Sequence, residues 1–335
     1  MSVPMKQQAR LAWYLAKMRL KKVEKFPLVL ELEPLYACNL ACAGCGKIQY
    51  PAHILKQRMS VDQAVAAVEE CGAPVVSIAG GEPLIHPEIH LIAKELVRRK
   101  KFVYLCTNAL LMQKKFDQFE PSPYFAWAVH VDGLREDHDR SVCEEGVFDV
   151  AVDAIREAKR RGFRVTTNST FFTTHTPKSI RDALDFLNDE LKVDGMMISP
   201  AYAYWKAPDQ DHFPGPDETR ELFKGVFEGG TRKRWRLNHS PLYLDFLEGK
   251  VDYECTPWGI PCYSIFGWQR PCYLQADGYA KTYKELVETT DWSKYGRQSG
   301  NVQCKNCMAH CGYEPTAVLA TTRSLRESLR AFANN

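Results

Sequence analysis

The chain has 335 residues, 45% hydrophobic and 25% charged, with a formal net charge of +3. That composition describes a folded globular protein and excludes a disordered or fibrous one. So small a charge gives no electrostatic case for a nucleic-acid partner. The apolar runs are strand-sized, too short to span a bilayer, and no apolar leader with a cleavage site opens the chain, which predicts a cytoplasmic location. Twelve cysteines in such a chain point to metal or redox chemistry before disulfides.

Residues 7–25 carry no Pro or Gly, and Leu11, Tyr14, Leu15 and Met18 share one helical face. Seven Lys and Arg side chains oppose the single acid Glu24 over 6–25. A basic amphipathic helix with Trp13 at its apolar edge suits a bilayer surface, or equally a helix packed on the body of the protein with a solvated face. Peripheral attachment at the inner face of the membrane is the expectation, with 1–26 as a separate segment.

After residue 26, short apolar runs alternate with helical periodicity. Strands are predicted over 28–33, 75–79, 102–107, 125–131, 164–170 and 195–199, and helices over 61–71, 88–99, 148–161 and 177–188. This alternation predicts an α/β fold built of βαβ units. Six units without a Gly-x-Gly-x-x-Gly turn after the first strand fit a partial (βα)6 barrel over 27–205 better than an open dinucleotide-binding sheet. The barrel's chemistry is expected at the strands' C-terminal ends. From residue 206 the alternation lapses into a Cys- and aromatic-rich C-terminal lobe, 206–335, whose last residues, 321–335, read as a polar helix.

Cys38-x-x-x-Cys42-x-x-Cys45 follows the first strand directly. Three thiolates at this spacing can cap three irons of a [4Fe–4S] cubane and leave the fourth open to a small chelating molecule. Zinc is the bland alternative, but it usually collects four protein ligands, and no His lies nearby. The second strand ends in Gly80-Gly81-Glu82-Pro83, where glycines admit close backbone approach and Glu82 offers an acceptor to an ammonium group.

Strand alternation also turns Tyr104, Cys106 and Asn108 inward on the third strand. His130 and Asp132 share a face of the fourth, either as a hydrogen-bonded structural pair or as cofactor contacts. Asn168 and Ser169 close the fifth. In the last quarter, Cys255, Cys272, Cys304, Cys307 and Cys311 form a pattern with a tight Cys-x-x-Cys core. A second iron–sulfur cluster or a structural zinc would satisfy it, and His310 within the motif keeps zinc in play.

The three-cysteine motif followed by Gly-Gly-Glu-Pro resembles the radical S-adenosylmethionine (SAM) superfamily. That resemblance implies SAM as co-substrate, with Gly80–Pro83 at its methionyl amino group and Asn168 and Ser169 near its ribose. Longer segments are similar to the adenosylhopane synthase family of hopanoid biosynthesis: 31–38, 43–48, 76–83, 105–110, 122–125, 207–210, 266–273 and 308–313. Cys262 departs from that pattern. The resemblance implies addition of the 5′-deoxyadenosyl radical to the alkene of diploptene, with reductive quenching of the carbon radical left behind. Cys106 is the candidate hydrogen donor, with Tyr104 as an alternative. An electron donor such as flavodoxin or ferredoxin would be needed, and Tyr202, Tyr204, Trp205, Phe266 and Trp268 would give the triterpene an apolar pocket. The main alternative is a radical SAM enzyme with an auxiliary cluster that modifies a peptide by hydrogen abstraction.

Overall fold

The structure, a computed structural model, describes residues 3–204 and 206–323. Trp205 and residues 324–335, most of the expected terminal helix, lie outside the described residues. Six parallel strands carry the fold: β1 (Val29–Glu33), β2 (Val75–Ile78), β3 (Phe102–Thr107), β4 (Phe125–His130), β5 (Arg164–Phe171) and β6 (Gly195–Pro200). They stand in the order β6-β5-β4-β3-β2-β1, each paired parallel to its neighbour. The predicted partial (βα)6 barrel is therefore the observed architecture.

Register explains which side chains reach the barrel interior. Glu31 pairs with Ser77 and Ser77 with Tyr104, and these side chains face inward. Their neighbours Leu30, Leu32, Val76, Ile78, Val103 and Leu105 are buried in the layer beneath the helices. Each such aliphatic side chain contributes on the order of 1.5–3 kcal/mol by leaving water.

Helix α1 (Met5–Leu20) precedes the barrel. The covering helices are α2 (Val61–Cys71), α3 (Ile89–Arg98), α4 (Arg135–Val142), α5 (Val147–Arg160) and α6 (Pro177–Asp185). Local chemistry sets their ends. Ser60 caps α2 in a reciprocal box with Gln63, and Thr176 caps α6 with Ser179 while Pro177 presets the first turn. Between β3 and β4, where no helix is predicted, there is only the single turn Met112–Lys115 and a 3-10 turn, Phe116–Gln118.

The C-terminal lobe adds α7 (Pro216–Val226), α8 (Pro241–Leu247), α9 (His310–Arg323) and three short strands. β7 (Cys262–Ser264) pairs parallel to β1, and β8 (Gly267–Arg270) and β9 (Gly278–Ala280) continue antiparallel. The lobe thus extends the barrel sheet to nine strands. Nothing local marks this joint beforehand, because β7 is three residues long and its partner lies more than 200 residues away.

The N-terminal helix packs on the body of the protein. Its apolar stripe is spent on the protein: Tyr14 is buried against Phe26, Leu28 and Leu319, with Leu11, Leu15 and Met18 packed alongside. Left outside are Trp13, flanked by Arg10 and Lys17, and the terminal Met5 and Leu20. No helix among the described residues is long and apolar enough to cross a membrane.

Candidate active site

A cavity of about 820 Å³ occupies the barrel interior, toward the upper end of the size range of small-molecule sites. Its walls gather most of the residues singled out above. The loop after β1 brings Cys38, Cys42 and Cys45, the turn after β2 brings Gly80, Gly81 and Glu82, and β3 contributes Tyr104, Cys106 and Asn108. His130 and Asp132 follow from β4, and Asn168 and Ser169 from β5. Pro83 is the exception. It opens a buried 3-10 turn, Pro83–Ile85, and shapes the wall without lining it.

All twelve cysteines are free. In the first loop, the backbone N–H of Leu40 donates to Cys38 Sγ and that of Lys47 to Cys45 Sγ, each at 3.4 Å. Such donors stabilise sulfur that carries negative charge. Burial pushes the Cys38 thiol up to about 11, and it raises Cys42 as well, aided by repulsion from Cys45. Without a cation beside them, Cys38 and Cys42 stay protonated at neutral pH. The turn after β2 is pressed onto this loop. A Cβ on Gly80 would strike the Leu35 carbonyl, and one on Gly81 the Ala37 carbonyl, just ahead of Cys38.

Glu82 is buried and rigidly held. Its Oε1 accepts from Leu84 N–H and the Thr107 hydroxyl, both at 2.9 Å, and its Oε2 accepts from Asn108 N–H at 2.8 Å. Burial raises its carboxyl to about 7 against those donors. Oε2 retains acceptor capacity toward the cavity, where an ammonium group would restore the charge.

His130 and Asp132 are a tethered pair. His130 Nε2 lies 2.9 Å from Asp132 Oδ2, Ser141 donates to the same oxygen at 2.7 Å, and Thr170 N–H donates to Oδ1 at 2.7 Å. Burial would raise Asp132, but the facing His130 and these donors hold it at about 2. His138, on α4, completes the bracket by accepting from Asp132 N–H at 3.2 Å. Burial, with His130 nearby, keeps its imidazole neutral down to about 4. The three side chains are near enough to chelate a cation. Asp132 is already engaged by three partners, so the bracket reads as a support for the cavity wall.

Cys106 sits beside Ser77, Sγ to Oγ 3.6 Å, in reach of the cavity. Burial pushes its thiol up to about 12, which keeps the S–H bond intact. Tyr104 donates instead to Gln7 Oε1 at 2.8 Å, tying α1 to the barrel.

Two features had no distinct sequence signal. Lys47 Nζ reaches Glu33, 2.9 and 3.1 Å from its two oxygens, and also approaches the Tyr273 carbonyl and ring. This ion pair joins the cysteine loop, β1 and the C-terminal lobe. Glu31, also facing the cavity, is raised to about 8 by burial and by its neighbour Glu33.

The expected aromatic pocket is only partly formed. Tyr202 and Tyr204 line the cavity. Phe266 instead packs among Tyr36, Tyr50 and Tyr279, and Trp268 is fully buried with its indole N–H donated to Glu70.

In the C-terminal lobe, Cys255, Cys272, Cys304 and Cys307 surround a second, small cavity of about 30 Å³. Cys311 lines the large cavity instead, as does His310, whose imidazole burial and His239 hold at about 3. Neither Cys311 nor His310 lines the small cavity that the other four cysteines surround. Cys262 stands apart too, with its thiol donated to Glu33 at 3.4 Å.

A parallel barrel with three cysteines after its first strand and a glycine-rich turn after its second is the arrangement of a radical SAM enzyme, and residues 32–187 match the radical SAM superfamily. The barrel segment is thus a match to that superfamily, whose members use a [4Fe–4S] cluster and SAM. Residues 196–331 match a second family, described as a domain of unknown function, DUF3463. Among curated proteins, the chain is similar to pre-heme d1 synthase of Dinoroseobacter shibae, 24% identical over 161 residues, 46% of this chain and 38% of that protein. It is likewise similar to the GTP 3′,8-cyclase of Listeria welshimeri, 25% identical over 180 residues, 50% of this chain and 54% of that enzyme. The chain thus spans about half the length, or less, of these relatives. The fold is shared with Streptococcus suis SuiB bound to S-adenosylmethionine, with a TM-score of 0.60 at 17% identity over 75% of this chain and 61% of that one. It is also shared with anSMEcpe bound to AdoMet and the Cp18Cys peptide, with a TM-score of 0.59 at 17% identity over 92% of this chain and all of the other.

Proposed function

We propose that the enzyme joins the adenosyl group of SAM to the terminal alkene carbon of diploptene and delivers a hydrogen atom to the carbon radical that remains. The observation carrying this reading is that the three-cysteine loop and Cys106 lie on one barrel cavity large enough for SAM beside a second sizeable molecule. The sequence segments similar to the adenosylhopane synthase family occur in both halves of the chain and select the substrate. When bound, the cluster supplies the electron that releases methionine and the 5′-deoxyadenosyl radical from SAM.

In this reading Cys38, Cys42 and Cys45 hold the cluster, and the Gly80–Gly81 turn with Glu82 receives the methionyl amino group. Asn108, Asn168, Ser169 and the His130–Asp132 pair support the rest of SAM. Cys106 donates its S–H hydrogen to the tertiary carbon radical, since an S–H bond is weaker than the tertiary C–H bond formed. The resulting thiyl takes an electron from the reductant, a flavodoxin or ferredoxin, and a proton. Ser77 and the protonated Glu31 lie on the same side of the barrel to provide that proton. The triterpene would be drawn from the cytoplasmic face of a membrane, contacted by Trp13 and the basic side of α1.

Anaerobic reaction of the reconstituted enzyme with SAM and diploptene, followed by mass spectrometry, tests the proposal. The expected product is saturated adenosylated hopane, and Cys106→Ala should still cleave SAM while losing saturated product or changing its stereochemistry. Free 5′-deoxyadenosine with no adenosylated lipid would overturn the reading and favour hydrogen abstraction, as on a peptide.

A further inference from the structure

We infer that the C-terminal lobe holds a second [4Fe–4S] cluster, ligated by Cys255, Cys272, Cys304 and Cys307. These four sulfurs come from three separate stretches of chain and converge on one enclosed cavity. Packing alone rarely gathers four thiols, and all are reduced.

The surroundings supply a donor to sulfur. The buried Gln275 amide gives an N–H bond of 3.1 Å to Cys304 Sγ. An NH₂ group can only donate, so Cys304 is positioned as an acceptor. Gly312 gives the fourth sulfur room, because a Cβ there would collide with Cys255 Sγ.

An all-cysteine set of four suits a [4Fe–4S] cluster, and its sulfurs are spread like those of the barrel loop: among the described residues, no three of either set lie within 4.8 Å of each other. Four cysteines leave no iron open, so this cluster suits one-electron transfer, not binding of a small molecule. Tyr202 lines both cavities and bridges the two sites.

The test is iron, acid-labile sulfide and zinc analysis of the full chain after anaerobic reconstitution, with EPR spectra after reduction. The unmodified protein should hold about eight irons and eight sulfides per chain, as two four-iron clusters require. Replacing Cys38, Cys42 and Cys45 by Ala should leave about four, with a reduced-cluster EPR signal. In that background, Cys307→Ser should abolish the remaining iron, whereas Cys311→Ala should retain it. Gln275→Leu should shift the second cluster's potential downward, because the lost N–H bond favours the more negative reduced state. About four irons in the unmodified protein, or zinc in place of iron and sulfide in the triple variant, would overturn the inference without relying on any lobe variant. Loss of iron from Cys311→Ala would overturn the ligand assignment.

Discussion

Replacing Lys47 by Met probes the joint between the cysteine loop, β1 and the C-terminal lobe. Met keeps much of the side-chain volume and removes only the ammonium. Glu33 has no solvent exposure and the Lys47 side chain only 10%, so neither charge is relieved by water. At about 3 Å and an effective dielectric constant near 20, the attraction is about 5–6 kcal/mol before desolvation is counted. Removing one partner of a buried pair typically costs about 3–5 kcal/mol, because the other charge is left unpaired. The loss falls on the loop itself, since Lys47 also donates its backbone N–H to Cys45 Sγ. Urea unfolding of the apoprotein at neutral pH, followed by circular dichroism, should show that drop. Adding Glu33→Gln to Lys47→Met should recover half or more of it, because the uncompensated charge is gone. A single variant within about 1 kcal/mol of the parent, or a double variant no more stable than the single one, would refute the reasoning.

Gly81→Ala should push the loop carrying Cys38 away from the turn after β2, and with it lower both iron retention and SAM cleavage at least about tenfold. Iron analysis and quantitation of methionine release would read this out, and near-normal cleavage would contradict the tight approach. His138 should make the apoprotein sensitive to acid. Its folded-state value of about 4 lies below the ordinary 6.5, so the unfolded chain binds the extra proton first. Its contribution is complete above pH 6.5 and is lost as pH falls toward 4, by up to about 3 kcal/mol. The stability of His138→Gln should vary less over that window, and parallel curves would refute it. At the surface, Trp13→Ala combined with Lys17→Glu should weaken sedimentation with anionic liposomes, each basic residue being worth about 1 kcal/mol there. Unchanged sedimentation at low salt would remove α1 from any membrane contact.

The barrel strands were legible because each reads as a short apolar run with inward polar positions at a period of two, and that period also identified Cys106, Asn108 and Asp132 as interior. Helix positions followed from the 3.6-residue period, and the two helices with side-chain caps at Ser60 and Thr176 begin where expected. What the sequence concealed depends on partners far along the chain. The apolar face of α1 suited a bilayer or the body of the protein equally, and only the fold places Leu319 against it. Lys47 read as one basic residue among many until Glu33 was placed beneath it. His138 lay on a strongly polar helix, with nothing local to mark it as the neutral support of Asp132. Likewise, the five C-terminal cysteines were evident as a group, yet their division between two cavities follows from tertiary placement alone.

The seating of α1 also sets an order of assembly. This helix precedes the barrel in the chain, yet the surface that receives it includes Leu319 in α9 and Tyr104 in the third strand. Its full seat therefore exists only once α9 has been made. Until then the barrel lacks Gln7 and Leu11 from its wall, and the nascent cavity has a doorway that the finished enzyme closes. A change to the buried face of α1 would therefore act on this late closing step and leave the earlier pairing of the barrel strands untouched.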